Sequence, residues 1–224
     1  MKFKILIFTV SLLISCNSFC QKYAKNQFTL FSYNLEIDDK VKIELSPLEN
    51  LIHFKPEKKQ DKIESMLINT LYTIASQMLS DSLNIFILPV NNLSDNAKYN
   101  IYGYPNISIQ RALKLSDTKY FLKIKASIQN NNLDNTGKKI SEDVFKPQIS
   151  VTIEFFKKGG YYPVQTEDGI ASASNPIKIS PEFLAGMNFV DESIVKKPNT
   201  ETLKDIYLKA IWQSVMKFKY KGSK

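Results

Sequence analysis

The residues best suited to a defined covalent reaction stand near the start of the chain, in Leu13-Ile14-Ser15-Cys16. An aliphatic residue followed by two small or aliphatic residues and a cysteine matches the lipobox. In that motif a diacylglycerol is attached through the cysteine sulfur, and the lipid holds a folded domain on a membrane surface. Cys16 is therefore a candidate lipidation site.

The stretch around this motif has the layout of a secretory signal peptide. Two lysines precede an apolar run over residues 5–14, which is too short to span a bilayer, and small residues follow. Ordinary cleavage before Gln21 is the alternative to lipidation, so the leader covers residues 1–20 or, in a lipoprotein, residues 1–15. In both cases we expect an extracytoplasmic protein that is periplasmic, outer-membrane-associated or secreted.

Cysteine and histidine usage argues against several kinds of site. Both cysteines, Cys16 and Cys20, lie in or beside the leader, so the body from residue 21 onward has no thiol nucleophile, disulfide or thiolate metal site. His53 is the single histidine, and its apolar surroundings in the sequence favour a structural role. Neither a glycine-rich phosphate loop nor a nucleophile elbow occurs. We therefore expect no metal and no cofactor.

Carboxylates offer one route to catalysis. Glu154 with Glu167 or Asp168 could supply the two acids that glycoside hydrolases use. However, a chain with 22 acidic residues always contains such pairs, and Glu154 falls on the polar side of its predicted strand. We assign no catalytic residue and keep a secreted carboxylate-based hydrolase or carbohydrate-binding protein as the alternative function.

Tyrosines are the candidate binding residues. Exposed tyrosines give a large contact area at low entropic cost and also stack on sugar rings. The candidates are Tyr99, Tyr102, Tyr104, Tyr161 and Tyr162. The alternative is that the aromatic loop fills the edge of a sheet. Trp212 lies beside the apolar stripe of a helix, and we expect it in the core.

The net charge of +8 resembles that of a nucleic-acid-binding protein, but its make-up does not. Arg111 is the only arginine, whereas proteins that read bases and phosphates favour arginine for its bidentate fork. The lysines are scattered among acids. We expect no nucleic-acid partner, and contact with a membrane only through a lipid on Cys16.

Hydrophobic periodicity predicts the elements that position these residues. Alternation over 31–37 and 41–45 predicts two strands joined by a turn at 38–40. Apolar residues at helical spacing predict a helix from about 57 to 80. The apolar run 84–90 is typical of a strand buried on both faces.

The second half of the chain continues this pattern. Residues 107–116 predict a short helix, and 119–128 a strand whose alternate residues share one face. The run 148–157 alternates in the same way. We therefore predict that these two strands are antiparallel neighbours, connected by the polar loop 129–146.

The last third contains a segment without clear pattern and a final helix. Prolines and glycines multiply over 161–198, where we assign no regular element, and Leu203 to Phe218 predict a helix capped by Asn199 or Thr200. This order of elements predicts an α+β fold, with an open mixed sheet covered by helices as a two-layer sandwich. We expect one such domain over residues 21–224.

The segment 57–158 carries a family resemblance. A helix and a short apolar strand precede the run "Ala-Leu-Lys-Leu-Ser-Asp-Thr-Lys-Tyr-Phe-Leu-Lys-Ile-Lys-Ala-Ser-Ile" (112–128), and an alternating strand then ends at Gly159-Gly160. This arrangement resembles the envelope domain shared by curli-secretion lipoproteins, the outer-membrane activators of penicillin-binding proteins and the N-terminal part of TolB. The chain differs at Ser116-Asp117-Thr118, where that domain usually has a Gly-Ala-Asp turn.

Proteins of that family are secreted or lipidated and act by contacting partners. The resemblance therefore implies a non-enzymatic accessory protein of the cell envelope that binds a protein partner or an envelope polymer. It transfers no binding residue to this chain.

Overall fold

The computed structural model describes residues 22–57, 59–93, 96–131, 138, 144–191, 193 and 201–221. Within these ranges five strands form one mixed sheet in the order β2-β1-β3-β4-β5. The strands are β1 (Gln27–Ile37), β2 (Phe86–Ile87), β3 (Tyr120–Asn130), β4 (Pro147–Lys157) and β5 (Gln165–Ser172). The α-helices are α1 (Asp39–Leu45), α2 (Lys62–Leu83), α3 (Ile109–Leu115) and α4 (Leu203–Lys221). The predicted α+β architecture is confirmed, whereas the leader with Cys16 and Cys20 lies outside the described residues.

Strand pairing defines two ends of the sheet. β1 runs parallel to both β2 and β3, whereas β3, β4 and β5 are successively antiparallel. Tyr120 at the start of β3 pairs with Lys157 at the end of β4, which confirms the predicted pairing of these two strands. The β4–β5 turn, residues 158–164, therefore lies where β1 and β3 begin. We call this the hairpin end, and the other end, where β1 leads into α1, the α1 end.

One face of the sheet carries α2 and α4. The alternate β3 residues that point to these helices are buried: Tyr120, Leu122, Ile124, Ala126 and Ile128. α4 lies closest to β5, because a Cβ atom on Gly169 would stand 1.9 Å from the carbonyl oxygen of Ala210. Glycine at this position is therefore a condition for the close approach of helix and strand.

The same approach lets α4 cover the outer edge of β5. The side chain of Gln213 accepts a hydrogen bond from the Ile170 amide (3.1 Å), and Lys217 donates to the Asp168 carbonyl (2.6 Å). In this register these two backbone groups face away from β4. Side chains of the helix thus bind the polar groups that an edge strand leaves unpaired.

Among the described residues, the second face is covered at the hairpin end, by α3 and the loop that precedes it. A β-bulge between Leu30 and Ser32 turns Phe31 to this side, where its ring lies 5.2 Å from that of Phe156. These rings belong to a second apolar cluster: Phe31, Leu93, Ala97, Ile107, Ala112, Phe121 and Phe156. Toward the α1 end the strand residues on this face are polar, and several of them line a hollow: Asn34, Glu36, Lys125, Ser127, Ser150 and Thr152.

Side-chain caps fix where the two long helices begin. Asp61 accepts from the Glu64 amide (2.8 Å) at the start of α2, which begins five residues later than predicted. At α4, Thr202 and Asp205 exchange hydrogen bonds as a capping box. The predicted caps Asn199 and Thr200 lie outside the described residues, and Thr202 caps the helix.

The prediction of a second strand at 41–45 is wrong. The Asp38 side chain accepts from the Lys40 amide (2.9 Å) and caps α1 at the point where a turn was predicted. Val41 and Leu45, four positions apart, are then both buried on one helical face. Two apolar residues four positions apart lie on the same face in a helix and in a strand alike. The Asp38 cap is the feature that favours the helix here.

Two further predictions need correction. The run 84–90 is not buried on both faces, because only Phe86 and Ile87 pair as β2 at the edge of the sheet, and Phe86 is 56% exposed. The segment 161–198 is not irregular throughout, because it contains β5 and a 3₁₀ turn at Pro181–Leu184. β5 escapes sequence analysis because its inward residues, Glu167, Gly169 and Ala171, include no large apolar side chain, so the strand shows no apolar alternation.

Candidate binding surfaces

The loop 98–106, which carries three of the predicted binding tyrosines, is fixed to the core. Tyr104 is only 6% exposed, and its ring centroid lies 4.8 Å from that of Tyr33 and 5.0 Å from that of Tyr72. Its hydroxyl donates to Asn69 Oδ1 (2.8 Å), and burial raises the tyrosine pKa well above its ordinary value. Tyr104 is therefore a core residue and is not available to a partner.

Tyr102 joins the same loop to α2 by polar contacts. Its hydroxyl donates to the Glu64 carboxylate, which also forms an ion pair with Lys42 of α1. Burial and the neighbouring Glu64 raise the pKa of Tyr102. Burial works against the charged form of Glu64, but hydrogen bonds from Lys42 and Tyr102 prevail and lower its pKa. Tyr99, 37% exposed, donates to the Leu93 carbonyl (3.2 Å), so all three tyrosine hydroxyls have partners within the protein.

The β4–β5 turn presents the other two predicted tyrosines to solvent. Tyr161 and Tyr162 are 60% and 85% exposed, and Val164 beside them is 44% exposed. Gly159 has a φ of +90°, which glycine adopts without strain, and the Val164 amide closes the turn on the Phe155 carbonyl (2.7 Å). The turn therefore holds two exposed rings on a hydrogen-bonded hairpin.

A groove between α2 and α4 is a surface that the sequence did not reveal. Its floor contains Ile74, Met78 and Leu208, and its volume is about 470 Å³. A second hollow of about 440 Å³ shares Met78, Leu208 and Trp212 and extends to Gln213. Trp212 is 54% exposed, so the prediction that it lies in the core is wrong. It stands on the flank of the α4 stripe, where the indole forms a ridge between the two hollows.

Polar groups occupy the end of the groove near the start of α4. The Asn188 amide donates to Thr70 Oγ1 (2.9 Å), and its side chain donates to Thr73 Oγ1 (3.1 Å). The stem of Lys204 packs over Gly186, where a Cβ atom would lie 2.8 Å from the lysine Cδ. Among the described residues no acid forms an ion pair with Lys204. The groove thus combines an apolar floor and an aromatic ridge with a lysine at one end.

Of the two carboxylate pairs considered above, the sheet divides Glu154 from Glu167. Glu167 pairs with Ile153 on the face covered by α4 and is 3% exposed, whereas Glu154 points to the opposite face. Asp168 shares the face of Glu154, but it accepts a hydrogen bond from Thr152 (2.6 Å), and Glu154 binds Lys123 (2.5 Å). Only 16% of the Glu154 side chain is exposed, whereas Asp168 is exposed.

The remaining chemically interesting residue, His53, lies on an exposed loop. Its backbone amide donates to the Phe189 carbonyl (2.7 Å). In the ranges that the structure describes, no three His, Cys, Asp or Glu side chains come together as metal ligands.

Comparisons with known proteins give structural neighbours only. No protein-family model and no curated protein sequence matches the chain. The hypothetical protein CT253 from Chlamydia trachomatis shares 11% identity at a TM-score of 0.46, over 87% of this chain and 96% of that one. A PelC dodecamer from Paraburkholderia phytofirmans has 8% identity and a TM-score of 0.36, with coverages of 87% and 89%.

A neuraminyllactose-binding hemagglutinin homolog from Helicobacter pylori has 12% identity and a TM-score of 0.33, over 91% of this chain and 87% of that one. Within the described residues, no helix combines the length and the apolar character that crossing a membrane requires.

Proposed function

We propose that this protein is a non-enzymatic accessory protein of the cell envelope, which binds a segment of a protein partner in the groove between α2 and α4. The extracytoplasmic location rests on the leader predicted over residues 1–20. The observation that carries the binding role is the half-exposed Trp212 between two hollows. Tryptophan is one of the residue types that are enriched at binding hot spots.

The shape of the groove favours an elongated ligand. Its α4 wall runs from Lys204 to Gln213, which corresponds to about 14 Å along the helix axis. The apolar floor can take side chains at helical or extended spacing, and Lys204 can bind an acid near one end of the segment. A short amphipathic peptide segment with an acidic residue fits these features.

Site-specific photo-crosslinking in producing cells tests this proposal. A benzoylphenylalanine at Gln77, which lines the groove, should give a discrete adduct with a partner protein. The same group at Ile43, which is 68% exposed at the α1 end, is the matched control. The adduct should disappear when Trp212→Ala is added to the Gln77 variant. Equal adducts at both positions, or an adduct insensitive to Trp212→Ala, would contradict the proposal.

The single tryptophan offers a direct second measurement. Its emission should be quenched by acrylamide in the free protein, since the indole is half-exposed. Binding of a peptide from the crosslinked partner should shift the emission to shorter wavelength and protect it from acrylamide. If an envelope polysaccharide produces this protection and the peptide does not, the ligand is a glycan and the peptide proposal is wrong.

A further inference from the structure

The hairpin end brings together the exposed tyrosines and the point where the leader joins the described chain. Tyr23 lies there, because its ring centroid is 5.6 Å from that of Tyr120 and 5.0 Å from that of Phe155. Its hydroxyl donates to Gln165 (3.0 Å) at the start of β5. Lys22, the first described residue, therefore lies beside the base of the β4–β5 hairpin.

Exposed lysines surround the base of this hairpin: Lys22, Lys119, Lys157 and Lys158. Lys119 and Lys158 are joined by a backbone hydrogen bond (2.8 Å), and Lys157 pairs with Tyr120. Asp117 is an acid at this end, and its carboxylate is bound by Lys158 at 2.7 Å. The ammonium groups of Lys22, Lys119 and Lys157 form no ion pair within the described ranges.

The α1 end differs in charge. Exposed acids stand there at Glu36, Asp38 and Asp39, but Lys40 and Lys42 lie among them. The described charges at the α1 end are therefore of mixed sign, and the hairpin end is the basic end of the described body. Near an anionic surface such a body turns its basic end to that surface.

We propose that the hairpin end docks on an anionic phospholipid bilayer, with Tyr161 and Tyr162 in the interfacial layer and the lysines against the headgroups. Tyrosine is enriched at the membrane–water interface because its ring is apolar and its hydroxyl stays hydrated. Each lysine near an anionic leaflet adds to the attraction. This docking is independent of the groove and of the function proposed for it.

The length of chain before Lys22 agrees with this orientation. Cys16 stands six residues earlier, and six residues span at most about 20 Å. A lipid on that cysteine would hold the hairpin end within this distance of the bilayer. If cleavage instead precedes Gln21, the new α-amino group adds a positive charge at the same end.

Depth-dependent fluorescence quenching tests the orientation. The mature protein, as processed by the cell, carries Trp212→Phe so that a tryptophan introduced elsewhere is the only one. Tyr162→Trp places the indole at the hairpin, and Ile43→Trp places it at the α1 end as control, where Ile43 is also mainly exposed. Each variant is reconstituted with vesicles of phosphatidylcholine and phosphatidylglycerol that contain brominated lipids.

We expect strong quenching and a blue-shifted emission for the indole at position 162 and neither change at position 43. Replacing Lys119 and Lys157 with glutamine should reduce the quenching at position 162. The matched pair Lys55→Gln and Lys178→Gln, two exposed lysines outside the hairpin end, should leave the quenching unchanged. Raising the salt concentration should weaken the quenching as exposed charges are screened.

Equal quenching at the two positions, or none at either, overturns the proposal. The comparison applies to a lipidated and to an unlipidated mature protein, because the cell processes both variants in the same way. A Trp212→Ala variant that loses its partner adduct but keeps the quenching at position 162 would separate the two proposals.

Discussion

Two turns of this protein both contain tyrosine, glycine and proline but have opposite surroundings. The loop 98–106 lies against α2, where Asn69 accepts a hydrogen bond from the Tyr104 hydroxyl and Glu64 accepts one from the Tyr102 hydroxyl. The hairpin 158–164 extends past the ends of β4 and β5, and Tyr161 and Tyr162 at its tip remain exposed. The loop 98–106 is part of the core because α2 supplies hydrogen-bond acceptors for its buried tyrosine hydroxyls. Without such a helix, the same residues are left for a ligand or a surface.

The largest expected difference between the two turns is in stability. Tyr104→Ala should lower the free energy of unfolding by about 3–5 kcal/mol, because it removes a buried ring and leaves Asn69 without its donor. Tyr162→Ala should change it by less than about 0.5 kcal/mol, as is usual at exposed positions. Urea denaturation of both variants measures this difference. Similar losses would mean that the hairpin rings are packed in solution.

A smaller effect is expected at the bond between Tyr102 and Glu64. Tyr102→Phe should cost about 1 kcal/mol at neutral pH, since the bond joins a charged acceptor but is partly exposed to solvent. Urea denaturation of Tyr102→Phe beside the wild-type protein measures this cost.

The same pair should make stability depend on pH at both extremes. Glu64 has a lowered pKa, so the unfolded chain binds the proton first on acidification, and the stabilisation falls as the pH drops below 4.5. Tyr102 has a raised pKa, so the unfolded chain loses its proton first, and stability falls as the pH rises above 10.0. Glu64→Gln should flatten the acidic branch of a stability–pH curve. An unchanged curve would show that another carboxylate controls it.

Chemical modification of the unsubstituted protein should order the tyrosines by their exposure to solvent. Tetranitromethane should nitrate Tyr162 and Tyr161 in the native protein before it reaches Tyr102. Tyr104 and the fully buried Tyr33 should react only on unfolding. Peptide mass spectrometry over time gives the order. Early nitration of Tyr104 would show that the loop 98–106 opens in the native state.

The smallest expected change is at Tyr207 in α4, a buried tyrosine without the acceptor that the loop tyrosines have. Its hydroxyl is enclosed, and no described residue forms a hydrogen bond with it. Burial raises the pKa of this tyrosine well above its ordinary value. Tyr207→Phe should therefore leave the free energy of unfolding unchanged or raise it slightly. A loss above about 1 kcal/mol would indicate a bound water molecule at the hydroxyl.

Regular periodicity predicted the central part of the fold. Alternation in β3 and β4 identified both strands and their pairing, and helical spacing identified α2 and α4. The predictions failed at Asp38 and at β2. At Asp38 a helix cap determines that α1 forms in place of a strand, and at β2 the position at the sheet edge determines how much of the strand is buried. β5 depends on Gly169, which sequence patterns treat as a strand breaker and which the close approach of α4 requires.

The candidate surfaces were less predictable than the fold. Trp212 stands next to buried positions in α4, but nothing in its spacing shows that α2 leaves a groove beside it. Likewise, tyrosine content alone could not separate Tyr104 from Tyr162, since the acceptor on α2 lies 35 residues away in the chain. Contacts between distant parts of the chain determine both the exposure of Trp212 and the difference between Tyr104 and Tyr162.

The cover that α4 places over β5 also constrains how this protein folds and what can join it. Gln213 and Lys217 bind two of the backbone groups that an incoming strand would need, so α4 opposes extension of the sheet at the middle of β5. Because α4 is the last element of the described chain, that edge stays open until the C-terminal segment has been made and docked. A chain shortened before Leu203 should therefore associate edge to edge and aggregate, even though all five strands are present.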